Sequence, residues 1–163
     1  MNSQIVIDTP LGNILIIGSE SAISCVEFIG STSVVSSENP SNIVQQCADE
    51  LTEYFAGTRT EFTFPLRQEG TEFQQKVWQQ LLSIDYGNTM SYLDLALSLG
   101  DRNLVRAVGT ANGKNQIAII VPCHRVIGSD GSLIGYAGEL WRKHWLLDHE
   151  KSISNTASQL SFL

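Results

Sequence analysis

The chain changes its hydrophobic period near residue 42, and that change limits the folds open to it. Before it stand three β-branched runs, QIVID, NILIIGS and ISCVEFI, broken by TPLG and SESA. They read as short strands joined by turns. After the Ser-, Asn- and Pro-rich stretch SVVSSENPSN, apolar residues recur at Ile43, Val44, Cys47, Leu51, Tyr54 and Phe55. That spacing is helical, with Gly57 as the stop. Thr71 then caps TEFQQKVWQQLLSI, whose Phe73, Val77, Trp78 and Leu81 share one face. SYLDLALSLG and NLVRAVGTANG follow as two shorter helices with a Gly-containing turn between them, the helix-turn-helix pattern. SDG between β-branched runs predicts a hairpin, a wing beside those helices. ELWRKHWLLDHE is the last helix, with Trp141, Trp145 and Leu147 as core positions, and the polar KSISNTASQLSFL reads as a disordered tail. The reading is therefore an α/β domain over 1–62, a linker over 63–70 and a helical domain over 71–163.

Charge divides the chain in the same place. Residues 1–62 carry eight acids and one base, Arg59, which accounts for the whole net charge of −7. Residues 63–163 carry nine of each sign, and Arg102, Arg106, Lys114 and Arg125 form an acid-free stretch over 102–125. An acidic front and a locally basic stretch behind it imply two units with different partners, or a surface of uneven charge. No apolar run approaches the ~18 residues of a membrane span. The opening MNSQIVIDTPLGN lacks the basic region of a secretory signal. Three cysteines without CxxC spacing argue against a disulfide framework or a zinc ribbon and fit a reducing cytoplasm best. Cys25 and Cys47 read as small buried hydrophobes.

The third cysteine is different. IAIIVPCHRVIG (117–128) reads as a buried strand ended by Pro122 and followed at once by thiol, imidazole and guanidinium. A free thiol is mostly protonated at neutral pH, and a nearby imidazole raises its thiolate fraction. Adjacent residues in an extended strand point to opposite faces, so Cys123 and His124 cooperate only where the backbone bends. A histidine base also needs a partner on its other nitrogen, and Glu150 is one candidate. Taken blind, the pair also fits an ordinary buried thiol beside a chance histidine.

RAVGTANGKNQIAIIVPCHRVIG, followed by GYAG and KHWLLDHE, closely resembles the O6-alkylguanine-DNA alkyltransferases, the methylated-DNA–protein-cysteine methyltransferases. The resemblance runs from Phe73 to Glu150, with weaker likeness earlier at DTPLGN and YFAG. It implies a ribonuclease H-like α/β domain followed by a helical, winged-helix-like DNA-binding domain. It also implies single-turnover repair of double-stranded DNA containing O6-alkylguanine, and possible action on O4 of thymine. By the same resemblance Cys123 takes the alkyl group, His124 accepts its proton through a water, Glu150 orients His124, and Asn115 braces the turn before the site. Tyr92 bonds N3 of the flipped base, Val126 and Cys123 receive the guanine amine on their carbonyls, Tyr136 walls the pocket, and the N–H of Ala137 faces O6. Arg106 enters the duplex, while Ala107 and Gly109 let the helix approach the minor groove. Arg102 and Arg125 join the DNA-binding candidates, although Arg125 equally suits a carboxylate partner. No cofactor and no metal are expected, and the N-terminal third has no histidine for the zinc that some relatives bind there. A monomer without membrane contact is the expected form.

Three positions depart from the family pattern. Glu139 stands where many members have glycine, Gln116 where proline is common, and Asn112 where some carry a larger apolar residue. Other classes also use such parts: a lesion-binding module without transfer, a thiol hydrolase, or a winged-helix regulator with a redox-sensing thiol.

Overall fold

The three β-branched runs become three antiparallel strands in the computed structural model, which describes residues 1–136 and 138–160. Strands β1 (Ser3–Thr9), β2 (Gly12–Gly18) and β3 (Ile23–Gly30) form one sheet in that order. Ile14 and Ile16 of β2, Ile23 and Val26 of β3, and Leu11 between β1 and β2 are almost wholly buried. Helix α1 (Asn42–Phe55) covers one face with Val44, Cys47, Leu51 and Tyr54, and the Ser41 hydroxyl caps it by accepting from Val44 N. Glu50 is buried on this helix, where its carboxylate accepts from Gln46, from Thr63 N and from Thr63 Oγ1. That clasp ties residue 63 back to α1. Phe64 is buried and Leu66 bridges to Ile23, so the linker read from sequence over 63–70 is corrected: all of it up to Glu69 belongs to the first unit.

The chain divides into two compact units. The first holds Met1–Glu69 together with Gln116–Ile120, and the second holds Gly70–Asn115 and the chain from Val121 onward. Gln116–Ile120 joins the first unit along the edge of β3, where Val26 N donates to Gln116 O and Ala118 N donates to Val26 O.

In the second unit α2 (Glu72–Leu81) opens on a capping box between Thr71 and Gln74. Its Trp78 indole donates to Ala111 O at 2.9 Å, fixing it to α4 (Val105–Gly113). The short α3 (Tyr92–Ser98) and α4 are joined by a 3-10 turn over Arg102–Leu104 and pack on each other as the expected helix pair. Two-residue strands β4 (Met90–Ser91) and β5 (Val126–Ile127) pair in parallel, and α5 (Leu140–Leu160) completes the unit.

Four further sequence expectations are corrected. The run 117–121 is no strand: it makes a single bridge, from Ile117 to Val26, and then turns. The SDG segment turns, with Gly128 N donating to Ser132 O, but β5 has no antiparallel partner after it, so no two-stranded wing forms among the described residues. The polar stretch 151–160 continues α5 instead of fraying, and Ser154 packs against Gly87. On α5 the buried stripe is Lys143, Leu146 and Glu150, while Trp141 is about half exposed, and Trp145 and Leu147 are half-buried. No described helix is long and apolar enough to cross a membrane.

Candidate active site

Two tight turns in succession deliver Cys123. Ile120 N donates to Ala118 O across Ile119, which has φ of 73°, a left-handed conformation that a β-branched side chain rarely adopts. Cys123 N then donates to Val121 O across Pro122, at φ −81° and ψ 63°, the common inverse γ-turn. Cys123–Arg125 follows as one 3-10 turn, with Arg125 N donating to Pro122 O. The backbone is therefore bent at the thiol, so the opposed side-chain directions of a strand do not apply here. Asn115 Nδ2 donates to Val121 O at 2.8 Å and ties the ends of the excursion together.

Behind the turn lies a buried polar cluster. His124 is wholly enclosed, and its Nε2 lies 2.7 Å from Glu150 Oε2. Arg125 reaches the same carboxylate twice, Nε to Oε1 at 2.7 Å and Nη2 to Oε2 at 3.1 Å. Its Nη1 donates to Ile84 O at 2.7 Å, and the guanidinium lies over the Tyr86 ring. Burial alone would raise the Glu150 carboxyl, but His124 and Arg125 overcome it and hold the group well below its ordinary range. Burial lowers the affinity of His124 for a second proton, and the positive charges of Arg125 and Lys143 add to this, so the imidazole is neutral despite Glu150. Since the carboxylate is ionised, Nε2 carries the proton and Nδ1 is left as the acceptor. Nδ1 is buried and has no hydrogen-bond partner in the structure.

Cys123 itself is 6% exposed. Burial pushes its thiol pKa up; the Asn115 side chain, the Lys143 charge and the backbone N–H groups of Cys123 and His124 pull it back only in part. Lys143 is fully buried, with its Nζ donating to Ile134 O at 2.7 Å and lying over the Tyr92 ring. Burial brings its pKa down to about 8, opposed by the Cys123 thiolate. Tyr92 donates toward Ile134 O and Gly135 O, at 3.0 and 3.2 Å. Asn112, buried on α4, donates from Nδ2 to Cys123 O at 3.3 Å.

The structure thus brings Cys123, His124, Glu150, Asn115, Tyr92, Tyr136 and the buried Val126 into one unit. Arg106, Ala107 and Arg102 are exposed on α4 and the turn before it. Gly109, on the same helix, has space for a Cβ only up to van der Waals contact with the Tyr92 ring. Arg125 does not join them: it is 7% exposed and committed to Glu150, so it cannot reach a phosphate. Ala137 lies outside the described residues. No group of three or more His, Cys, Asp or Glu side chains among the described residues could hold a metal ion.

Known proteins are similar to this chain in sequence and in fold. Residues 72–152 match the model of the 6-O-methylguanine DNA methyltransferase DNA binding domain, and residues 4–68 match that family's ribonuclease-like domain. A methylated-DNA–protein-cysteine methyltransferase of Mycobacterium leprae is 47% identical over 147 residues, covering 88% of this chain and 89% of the relative. The chain belongs to the 6-O-methylguanine DNA methyltransferase family. A constitutive methylated-DNA–protein-cysteine methyltransferase of Bacillus subtilis is 42% identical over 159 residues, covering 93% and 96% of the two chains. The crystal structure of the Mycobacterium tuberculosis O6-methylguanine methyltransferase superposes with a TM-score of 0.84 at 43% identity, over 93% of this chain and 94% of that one. A further crystal structure holds the Mycobacterium tuberculosis protein in complex with DNA; it gives a TM-score of 0.82 at 45% identity over 91% and 92%.

In this methyltransferase-family chain, sequence reasoning missed Lys143 and Asn112 as parts of the site. Lys143 sits at the helical spacing 143, 146, 150, so the stripe was visible once charged residues were allowed on it. Asn112 gave no signal beyond its departure from the family pattern.

Proposed function

We propose that this chain repairs alkylated double-stranded DNA by moving the alkyl group from O6 of guanine onto Cys123. The supporting observation is the neutral His124 beside Cys123, with Nε2 bound to an ionised Glu150 and Nδ1 free to take a proton. In the reaction the Cys123 Sγ–carbon bond forms as the carbon–O6 bond breaks. The thiol proton passes to Nδ1, through a bridging water, and ends on N1 of the restored guanine. The product thioether has no good leaving group, so each molecule reacts once. Lys143 offsets the charge of the attacking thiolate.

The target atom is unreachable in a stacked duplex, so the nucleotide must rotate out. Arg106 fills the vacated space, while Ala107 and Gly109 allow close approach of α4 to the minor groove. Arg102 holds phosphate. Tyr92 receives the base, with the Val126 and Cys123 carbonyls taking its amine, Tyr136 as wall, and the Ala137 N–H toward O6. Asn115 keeps the turn before the thiol in shape. We also extend the reading to O4 of alkylated thymine.

Intact mass after incubation with an O6-methylguanine duplex tests this. The expected result is one added methylene on the Cys123 peptide, one event per molecule, and no reaction by Cys123→Ser. Repeated turnover would point to a hydrolase, and binding without mass change to a lesion-binding module or a thiol-sensing regulator; either would overturn the proposal.

A further inference from the structure

Arg125 is the one base of the acid-free stretch that the fold buries, and its commitments are complete. Its three bonded nitrogens span both oxygens of Glu150 and the carbonyl of Ile84. Glu150 Oε2 is shared between Arg125 Nη2 and His124 Nε2. Building on the transfer reaction above, we propose that Arg125 is a positioning residue: it fixes the Glu150 carboxylate in the orientation that presents Oε2 to His124 Nε2.

The argument follows from where the cluster's protons can sit. With Arg125 present, the charges of guanidinium and carboxylate cancel, and the imidazole is neutral with its proton on Nε2. Remove the guanidinium, and a buried carboxylate is left facing the imidazole. Such a charge is costly to bury alone, so a proton is drawn into the pair. If it settles on the imidazole, both ring nitrogens carry hydrogen. If it settles on the carboxyl, that O–H donates to Nε2 and the ring proton moves to Nδ1. Either way Nδ1 stops being an acceptor, and the thiol loses its base. The other groups that face the cluster cannot substitute. Lys143 adds positive charge near His124 but is bound to Ile134 O. The phenols of Tyr86 and Tyr136 are neutral, with their acidity suppressed by burial. Cys123 is the group to be deprotonated. A lysine at 125 would supply charge but only a point donor, not the fork that meets two oxygens.

Two readouts test this with Arg125→Lys, Arg125→Met and the double variant Arg125→Met/Glu150→Gln. The first is the ¹⁵N spectrum of the His124 ring in unreacted protein without DNA, from about pH 6 to 8, the range where histidine switches. The second is the single-turnover rate of methyl transfer across the same range. Wild type should show hydrogen on Nε2 alone. Arg125→Met should show hydrogen on Nδ1 and transfer about a hundredfold slower at neutral pH, the scale of a lost general base, with the deficit shrinking as pH rises. Arg125→Lys should fall between. In the double variant no charge is left alone and the amide oxygen accepts from Nε2, so tautomer and most of the rate should return. A purely structural role would leave the double variant no faster than the single one, which overturns the proposal. So would an unchanged ring spectrum in Arg125→Met, or weaker DNA binding at an unchanged rate of transfer. Should wild type transfer nothing, the functional reading fails while the ring spectra still decide the role of Arg125.

Discussion

Glu139 occupies a backbone conformation made for another residue. It has φ of 74° immediately before α5. Its side chain is largely exposed; Oε2 accepts from the Trp141 indole at 2.8 Å and lies 3.8 Å from Arg142. Replacing it by alanine or by glycine removes those contacts equally, so the difference between the two variants isolates the backbone. A residue with a Cβ costs roughly 1–2 kcal/mol in the left-handed region. Glycine normally loses about 0.5–1 kcal/mol to alanine through its greater freedom in the unfolded chain. The net expectation is that Glu139→Gly is more stable than Glu139→Ala by about 0.5–1 kcal/mol, the reverse of the usual order. For a chain of this length that corresponds to a melting temperature higher by about 1–4 °C. Paired urea and thermal melts, followed by near-ultraviolet signal from Trp141 and Trp145, would measure it. An alanine variant equal to or more stable than the glycine variant would refute the strain argument.

Two further outcomes follow from the cores of the units. Acid should destabilise the protein in two stages, measurable as unfolding free energy against pH. The unfolded chain binds a proton at histidine from about pH 6.5 downward, where the buried His124 resists it, so stability falls first there. The fall should steepen below about pH 4.3, because Glu50 and Glu150 both keep their charge longer in the folded state than when unfolded. A flat profile between those two points would remove the claim that His124 is held neutral. Separately, Gly87→Ala should cost about 2 kcal/mol, since φ is 84° and the new Cβ would lie 2.2 Å from Ser154 Oγ. An unchanged denaturation midpoint would mean that α5 does not extend past Glu150 as described.

What the sequence made legible was whatever its own neighbourhood determines. Helices α1 and α2 declared themselves by apolar spacing and by Thr71, and the Cys123 turn by its motif. What stayed hidden depended on distant partners. Ile119 looks like any strand residue until the bonds between Val26 and 116–118 force the chain to turn after them. Lys143 and Arg125 look like surface bases; their burial depends on Ile134 O and on Glu150, 25 residues beyond Arg125. The stretch 151–160 lacks an apolar stripe, and the notch at Gly87 that receives Ser154 lies more than sixty residues earlier.

The excursion of Gln116–Ile120 has a consequence for how this chain can be divided. A gene cut between codons 69 and 70 would look like a clean separation, yet the second product would carry five residues whose backbone partners remain in the first. Those residues end two positions before Pro122, so the slack released would fall on the stretch that aims the nucleophile. Co-expressed halves should therefore recover an ordered 116–120 stretch only when those five residues regain their bonds to Val26 on β3.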